Sequence, residues 1–524
     1  MIAFCNEWVY LPIKVVPQVL IIIALVLFYR TSAFFISNFM GGKIMKPQID
    51  EIEKYKNEYD IIPVFEELLS DFTTPMNVLR NIKEISDKFY LLESVDNSHF
   101  GRYSYLGYDP ILTISCKDNI VCENEKKYYS EKPFDEIKRI LSNYKAPKIE
   151  GLPPFCGGFV GYAAYDSYKY FEPKLKIKSK DVGFNDYEFL LFDKVICFDN
   201  YMQKIILIVN IKLNDLENNY ELAKEEIDKL KSVIYKVSNY KEEKIKIVEE
   251  LKSIDTKEEY TQKLNTIKKH IYDGDIFQCV FSRRFVGKIE GSLLETYRNL
   301  RSINPSPYMY YIKNEGLEIV GASPETLVSK EGDVITTFPI AGTRPRGKNA
   351  SIDARLEHEL LHDEKEIAEH NMLVDLGRND IGRVSEFGSV KVLEYMKILR
   401  FSHVMHIAST VVGKAKRDLK SIDVLQSVLP AGTLSGAPKL RACEIIDSLE
   451  KERRGIYGGG IGYIDFRDNM NICIVIRTIV KKDNNVYVQA GGGIVALSDP
   501  ENEYLETENK AKAVFKAVEA QKEK

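Results

Sequence analysis

The sequence predicts an α+β fold built on antiparallel sheet, and three observations carry that reading. Residues 456–465, 471–480 and 486–490 are short apolar runs separated by Arg467-Asp468-Asn469 and Asp483-Asn484-Asn485, the residue types expected of hairpin turns. Helical periodicity appears between and after such runs, as in 363–376 and 498–510. Strands and helices do not alternate regularly, which argues against a doubly wound parallel sheet. At 524 residues, 44% of them hydrophobic, the chain can bury a core for two domains or for one large interwoven one.

Taken in order, the first 44 residues stand apart. Residues 19–28, VLIIIALVLF, form an unbroken apolar run that is too short alone to span a bilayer. Extended through Val15, Pro17, Phe34 and Phe35 it reads as an anchor or signal segment, but Lys14 is a weak basic flank and no A-x-A site follows. A third reading fits better: Gly41-Gly42-Lys43-Ile44 before Met45 is what a bacterial ribosome-binding site and its spacer yield when translated. Met45 is then the expected start of the native chain, and N-terminal sequencing of native protein separates the readings.

From Met45 to about Pro154 the chain reads as a helix over 64–69 and strands over 88–94 and 111–114, ending in the break Pro153-Pro154-Phe155-Cys156-Gly157-Gly158. Residues 214–259, dense in Lys, Glu, Leu and Ile, read as exposed helix. A helix is expected to end at Asp273-Gly274, where glycine suits a C-cap, before the alternation over 276–285 marks a strand.

Composition excludes some functions. A net charge of −4 and the lack of a Lys/Arg tract interleaved with aromatics leave no basic field for nucleic acid. The eight cysteines are scattered without CxxC, so reduced thiols in a cytoplasmic compartment are expected rather than a disulfide framework or a structural zinc site. Apart from the leading apolar run, nothing suggests a membrane.

Two glutamate pairs with i, i+3 spacing, Glu366/Glu369 and Glu503/Glu506, each fall in a segment that reads as helix. Ser498 or Asp499 suits the N-cap of the second helix and Pro500 its first position. A single acidic pair is ordinarily a solvated helix face. Two matched pairs far apart in the chain suggest instead a divalent metal held between two helices, with room left for water and an anionic substrate. His358-Glu359-Leu360-Leu361-His362 spells the HExxH of zinc peptidases, but Lys365 and Ala368 stand where a metzincin needs Gly and His. Gly458-Gly459-Gly460 and Gly491-Gly492-Gly493 lack the context of a nucleotide loop and fall on expected strands, marking either a bulge or amides presented to a ligand. Arg477 interrupts the apolar run Ile472-Cys473-Ile474-Val475-Ile476, where a cation is expected to pair with a carboxylate or else to face outward.

From Met45 to the C-terminus the chain resembles the chorismate-utilising enzymes, and among them the anthranilate synthase component I group. The resemblance rests on GDIFQCVFSRRF (274–285), ASPE (322–325), PIAGTRPRG (339–347), AEHNMLVDLGRND (368–380), VMH (404–406), PAGTLSGAPK (430–439), RRGIYGGGIGY (453–463) and QAGGGIV (489–495). It implies an interwoven two-domain antiparallel β-sandwich with helices outside. Residues 45–250 would carry effector-site elements and 251–524 the chorismate-binding catalytic region. It also dissolves the HELLH reading, which falls where the family has a charged helix leading into its metal acids.

The activity implied is synthesis of anthranilate and pyruvate from chorismate and ammonia, the first step of tryptophan biosynthesis, with Mg2+ as cofactor. Acids matching Glu369 and Glu506 hold the metal directly and those matching Glu366 and Glu503 act through water, so that the metal clamps the ring carboxylate. Arg477 and Tyr457 match the partners of the enolpyruvyl carboxylate, Gly491 and Gly493 would offer N–H groups to the ring carboxylate, and Ala341, Gly342 and Thr343 line the substrate. His406 is assigned as the base that takes the C2 proton, alongside Gln278 and Thr433 as catalytic positions.

Two positions separate the relatives. Isochorismate and salicylate synthases carry lysine where Gln278 stands, and a glutamine amide cannot activate water as an amine does. Aminodeoxychorismate synthases typically read PIKGT, with a lysine that forms a covalent adduct, which Ala341 cannot. That activity remains the alternative, beside a chorismate- or tryptophan-binding regulatory protein without turnover. No cysteine stands in GxCxG, so a separate glutamine amidotransferase subunit, component II, is the implied source of ammonia. Leu92, Glu93 and Ser94 with Pro307, Tyr308 and Met309 match the family's LLES and NPSPYM blocks, its site of feedback inhibition by L-tryptophan. Gly492 and Leu497 depart from the family, where many members have Ala and Asp.

Overall fold

The computed structural model describes residues 45–94, 99–237, 242–400 and 404–521. The apolar run 19–28 and the peptide 41–44 lie outside the described residues. The described residues from Pro47 onward belong to one compact unit. Among the described residues no helix is long and apolar enough to cross a membrane.

Two 12-stranded sheets form the unit, and every strand pairing between named strands is antiparallel. The first sheet runs from Ile61–Leu69 at one edge through Lys88–Glu93, Tyr308–Asn314, Leu317–Ser323, Thr478–Lys482, Asn485–Ile494 and Gln278–Glu290 to Lys246–Ser253 at the other. The second places Ile340–Pro345, Val404–Lys414, Thr326–Glu331, Met470–Ile474 and Gly460–Asp465 in one run. Strands from both sides of residue 250 therefore interleave in the first sheet.

One core cluster draws Phe65, Tyr90, Tyr310 and Val480 from the first sheet and Val160, Leu190, Ile461 and Cys473 from the second, so it lies between them. Tyr260, Leu264 and Ile267 of the helix Lys257–Tyr272, with Ile445 and Ile446 of Lys439–Leu449, cover the outer face of the first sheet at Cys279 and Phe281. Val374 and Ile381 of Glu364–Gly382 join the cluster that covers the second sheet at Val328, Val411 and Ile472. The result is the sandwich with outer helices that the resemblance implies.

Both hairpin turns form, with Asp468 (φ 63°) and Asp483 (φ 55°) in the left-handed region. The helix Lys257–Tyr272 is capped by Asp273, with Gly274 at φ 83°. Three expectations are corrected. Residues 64–69 belong to the strand Ile61–Leu69, not to a helix: FEELL suits a helix, but the segment pairs along its whole length with Lys204–Lys212, and Glu66 turns inward to an ion pair with Lys231 (2.8 Å). Residues 214–259 are not one helix but the helix Leu216–Tyr235, the edge strand Lys246–Ser253 and the start of Lys257–Tyr272. Pairing with the long strand Gln278–Glu290 overrides the helical composition of Lys246–Ser253. Residues 471–480 are not one strand either: Met470–Ile474 ends in the second sheet and Thr478–Lys482 begins in the first, with Arg477 at the crossing.

Candidate active site

The crossing opens onto a cavity of about 490 Å³ between the sheet ends and the helices Glu364–Gly382 and Pro500–Glu519. Glu366, Glu369, Glu503, Glu506, Gln278, Thr433, Tyr457, Arg477, Gly491, Gly493, Gly342 and Thr343 all line it. Of the expected site residues, Ala341 and His406 are not in its lining: Ala341 is buried and pairs with Ile407, while His406 borders the cavity through the lining residues Gly342 and Thr343, which its Nδ1 meets.

Each acid pair is delivered by a capped helix start. Asp363 accepts from the N–H groups of Lys365 and Glu366, and Asp499 from that of Asn502 with Pro500 in the first turn. The strand Asn485–Ile494 passes between the pairs. A Cβ at Gly492 would lie 2.9 Å from Glu503 Oε2 and 3.6 Å from Glu506 Oε1, and one at Gly493 would lie 3.7 Å from Glu369 Oε1. The departure at Gly492 therefore leaves space against the acids, while Leu497 is solvent-exposed. Glu503 Oε1 accepts from the Ser498 hydroxyl (2.7 Å), but its buried Oε2 has no hydrogen-bond partner among the described residues. Burial, and then the neighbouring Glu369 and Asp363, hold the Glu366 carboxyl above its ordinary pKa; burial does the same to Glu503, with Ser498 opposing and Glu506 adding to it. No three Asp, Glu, His or Cys side chains among the described residues converge into a closed metal cage. The four glutamates line the same cavity from two helices.

Arg477 crosses between sheets at φ 52°, a conformation that an ordinary side chain enters at a cost of order 1 kcal/mol and that clusters at functional sites. Burial lowers its pKa, with Glu325 opposing, and among the described residues it makes no ion pair within 4.0 Å. The Tyr457 hydroxyl is buried over Gly491, where a Cβ would lie 2.9 Å from it. Burial pushes its pKa up, with Arg454 opposing, so it stays a neutral donor.

Gln278 donates its amide N–H to Glu369 Oε1 (3.1 Å). His406 Nδ1 lies 2.8 Å from the Gly342 carbonyl and 3.1 Å from Thr343 Oγ1. A carbonyl only accepts, so Nδ1 carries the proton and the neutral ring keeps its lone pair on Nε2. Burial lowers the His406 pKa, the Gly342 carbonyl opposes this, and Arg477 adds to it. Gly342 is at φ 64°, and a Cβ there would press on Leu360 (2.9 Å) and Glu366 Oε2 (3.2 Å).

Two cavity residues had no assigned role in the sequence. Glu325, within ASPE, has its carboxyl pushed up to about 7 by burial, against Thr433, Lys510 and Arg477. Lys510 bridges Glu506 Oε1 (2.7 Å) and the Gly491 carbonyl (2.9 Å). Its signal was present, since it stands one helical turn beyond Glu506; Glu325 has none without the partners the fold brings to it. In HELLH, His362 Nδ1 is 2.7 Å from the His358 carbonyl and the two rings stack at 3.9 Å.

Leu92, Glu93, Ser94, Pro307, Tyr308 and Met309 converge on a second cavity of about 80 Å³, together with Tyr103, Tyr105, Tyr310, Tyr463, Asn471 and Cys473. Glu93 is buried and meets the Tyr297 hydroxyl (2.7 Å) and Arg301 (3.1 Å). Burial raises its pKa, and Arg301 and the Tyr297 hydroxyl oppose that.

The family model of chorismate binding enzymes matches residues 87–516. Among curated proteins, anthranilate synthase component 1 of Acetivibrio thermocellus is 44% identical over 488 residues, covering 90% of this chain and 98% of the relative. The same-named protein of Aquifex aeolicus is 44% identical over 492 residues, covering 91% and 98%. Among solved structures, anthranilate synthase component I from Streptococcus pneumoniae superposes with a TM-score of 0.73 at 35% identity, covering 86% of this chain and 99% of that one. The menaquinone-specific isochorismate synthase MenF of Escherichia coli, at 19% identity and a TM-score of 0.67, shares the fold.

Proposed function

The chain belongs to the chorismate binding enzymes, and on that footing we propose that it makes anthranilate and pyruvate from chorismate and ammonia. The observation that carries the proposal is Arg477, a half-buried cation that among the described residues makes no ion pair within 4.0 Å, in one cavity with four glutamates. A dianionic substrate needs such a pairing: Arg477 and the Tyr457 hydroxyl take the enolpyruvyl carboxylate, and the N–H groups of Gly491 and Gly493 face the ring carboxylate.

The donor set fits magnesium. It is all carboxylate oxygen, with one buried oxygen, Glu503 Oε2, unpartnered among the described residues and space kept by Gly492. Glu369 and Glu506 would hold the ion, and Glu366 and Glu503 would act through its waters. When bound, the metal neutralises the ring carboxylate and makes the ring electron-poor.

With its amide N–H engaged by Glu369, Gln278 presents its carbonyl to an N–H of ammonia, which adds at ring C2. Glu325, protonated up to about pH 7, gives its proton to the departing C4 hydroxyl, which leaves as water. His406 Nε2 takes the C2 proton as the C3–O bond breaks and the ring becomes aromatic; the enolpyruvate released takes up a proton at its methylene carbon to become pyruvate, matching the proton that the added ammonia gives up. Ammonia reaches the chain from a glutamine amidotransferase subunit, in keeping with the relatives' designation as component 1. L-Tryptophan occupies the second cavity as feedback inhibitor, its indole among the tyrosines and its ammonium toward Glu93. The reaction opens tryptophan biosynthesis in the cytoplasm.

The test is product identity. Purified protein given chorismate, Mg2+ and ammonium is expected to form fluorescent anthranilate, and glutamine alone to support no turnover. Formation of 4-amino-4-deoxychorismate or isochorismate without anthranilate overturns the proposal. Gly493→Ala is a sharper variant: its Cβ would lie 2.4 Å from Gln278 Nε2, so the amide must move. Steady-state kinetics should show kcat/KM for ammonium reduced about 10- to 100-fold.

A further inference from the structure

The catalytic and second cavities are lined by neighbouring residues of the same chain segments. Along Met470–Ile474 and the crossing that follows, Asn471 and Cys473 line the second cavity while Ile476 and Arg477 line the catalytic one. At the head of Thr326–Glu331, Glu325 faces the catalytic cavity while the Thr326 hydroxyl meets that of Tyr308, a second-cavity residue, at 2.7 Å.

The tightest link runs through Tyr310. Tyr310, Gly321 and Thr478 lie side by side on three adjacent strands, in register across Tyr308–Asn314, Leu317–Ser323 and Thr478–Lys482. Gly321 has no side chain because the Tyr310 ring occupies its place: a Cβ there would lie 2.4 Å from two ring carbons. The ring thus crosses the middle strand, and its hydroxyl reaches Thr478 Oγ1 at 2.7 Å. The Thr478 hydroxyl donates to the Ile476 carbonyl (2.8 Å), so the Tyr310 hydroxyl is the donor in the preceding bond. That carbonyl belongs to the peptide entering Arg477, whose own carbonyl accepts from the Ala322 N–H (3.2 Å). The left-handed backbone of Arg477 is therefore pinned on both sides, and one pin ends in the wall of the second cavity.

We infer that Thr478 is a positioning residue: its hydroxyl sets the 476–477 peptide that aims Arg477 at the substrate carboxylate, and through Tyr310 it makes that aim depend on what fills the second cavity. This deepens the proposed function and rests on it, since the ligand of the second cavity is there read as L-tryptophan. A ligand that shifts the Tyr310 hydroxyl releases or tightens the bond to Thr478, and Arg477 turns with its peptide. Inhibition would then act on chorismate binding.

Thr478→Val keeps the shape and removes the hydroxyl, while Thr478→Ser keeps the hydroxyl. Two quantities are measured on purified protein: KM and kcat for chorismate with ammonium and Mg2+, and the calorimetric affinity for tryptophan with and without chorismate in ammonium-free buffer. For the wild type, chorismate should weaken tryptophan binding at least about fivefold. For Thr478→Val, KM for chorismate should rise about threefold to tenfold with kcat little changed. The chorismate effect on tryptophan should shrink to within about twofold, while Thr478→Ser restores both. A Thr478→Val enzyme with wild-type KM and wild-type coupling overturns the inference, as does equal impairment of the serine and valine variants, which a purely structural role would give. If the wild type shows no tryptophan binding, the regulatory reading of the second cavity fails and the coupling with it, while the KM comparison still decides whether Thr478 positions Arg477.

Discussion

Glu325→Gln should lower kcat by about 10²- to 10⁴-fold, the range a positioned general acid contributes. The substitution keeps the side chain's size and its place beside Thr433 and Arg477, so the thermal midpoint should hardly move. The sharper signature is the pH profile. Burial holds the Glu325 carboxyl near 7, so the acid form is lost, and the rate falls, as pH rises through that value. His406 is the proposed neutral base, and burial lowers its pKa, so the rate should fall again only on the acid side of the usual imidazole range. A bell-shaped profile is expected for the wild type, and in Glu325→Gln the alkaline limb should vanish while the acid limb stays. A kcat within twofold of wild type, or an alkaline limb that persists in the variant, removes Glu325 from the mechanism.

Glu369→Gln or Glu506→Gln should cost about 10³-fold in kcat/KM, because a charge-stabilising cation is worth several kcal/mol and each change would remove a proposed direct ligand. Glu366→Gln and Glu503→Gln, acting at one remove, should cost about 10- to 100-fold. Stability should move the other way. Burial and like-charged neighbours raise the Glu366 and Glu503 carboxyls, so removing one charge relieves repulsion and should hold or raise the thermal midpoint without metal. Added Mg2+ should raise the wild-type midpoint and leave those of Glu369→Gln and Glu506→Gln unchanged. Equal activity in all four variants, or an equal metal-induced shift, contradicts the assignment.

How far the sequence revealed this depends on whether a signal is local. Helix caps, hairpin turns and the i, i+3 acid pairs are local, and Asp363, Asp499, Asp468 and Asp483 stand where their chemistry places them. Residues 64–69 misled because the local pattern suits a helix while the deciding partner, Lys204–Lys212, is more than 130 residues away. Lys246–Ser253 misled for the same reason, its partner being Gln278–Glu290. Arg477 was visible as a charge in an apolar run, but an uninterrupted strand was the simplest reading of 471–480, and nothing nearby signals that the chain changes sheets there. Glu325 stands out only once burial raises its pKa, a property of the folded cavity rather than of ASPE.

In the proposed reaction chorismate is a dianion held between Arg477 and a carboxylate-bound cation. Isothermal calorimetry of chorismate into the wild-type protein in ammonium-free buffer, with Mg2+ or with a chelator, measures this most directly. Binding should be clear with Mg2+ and at least about 100-fold weaker without it. Equal affinity in the two buffers would contradict it.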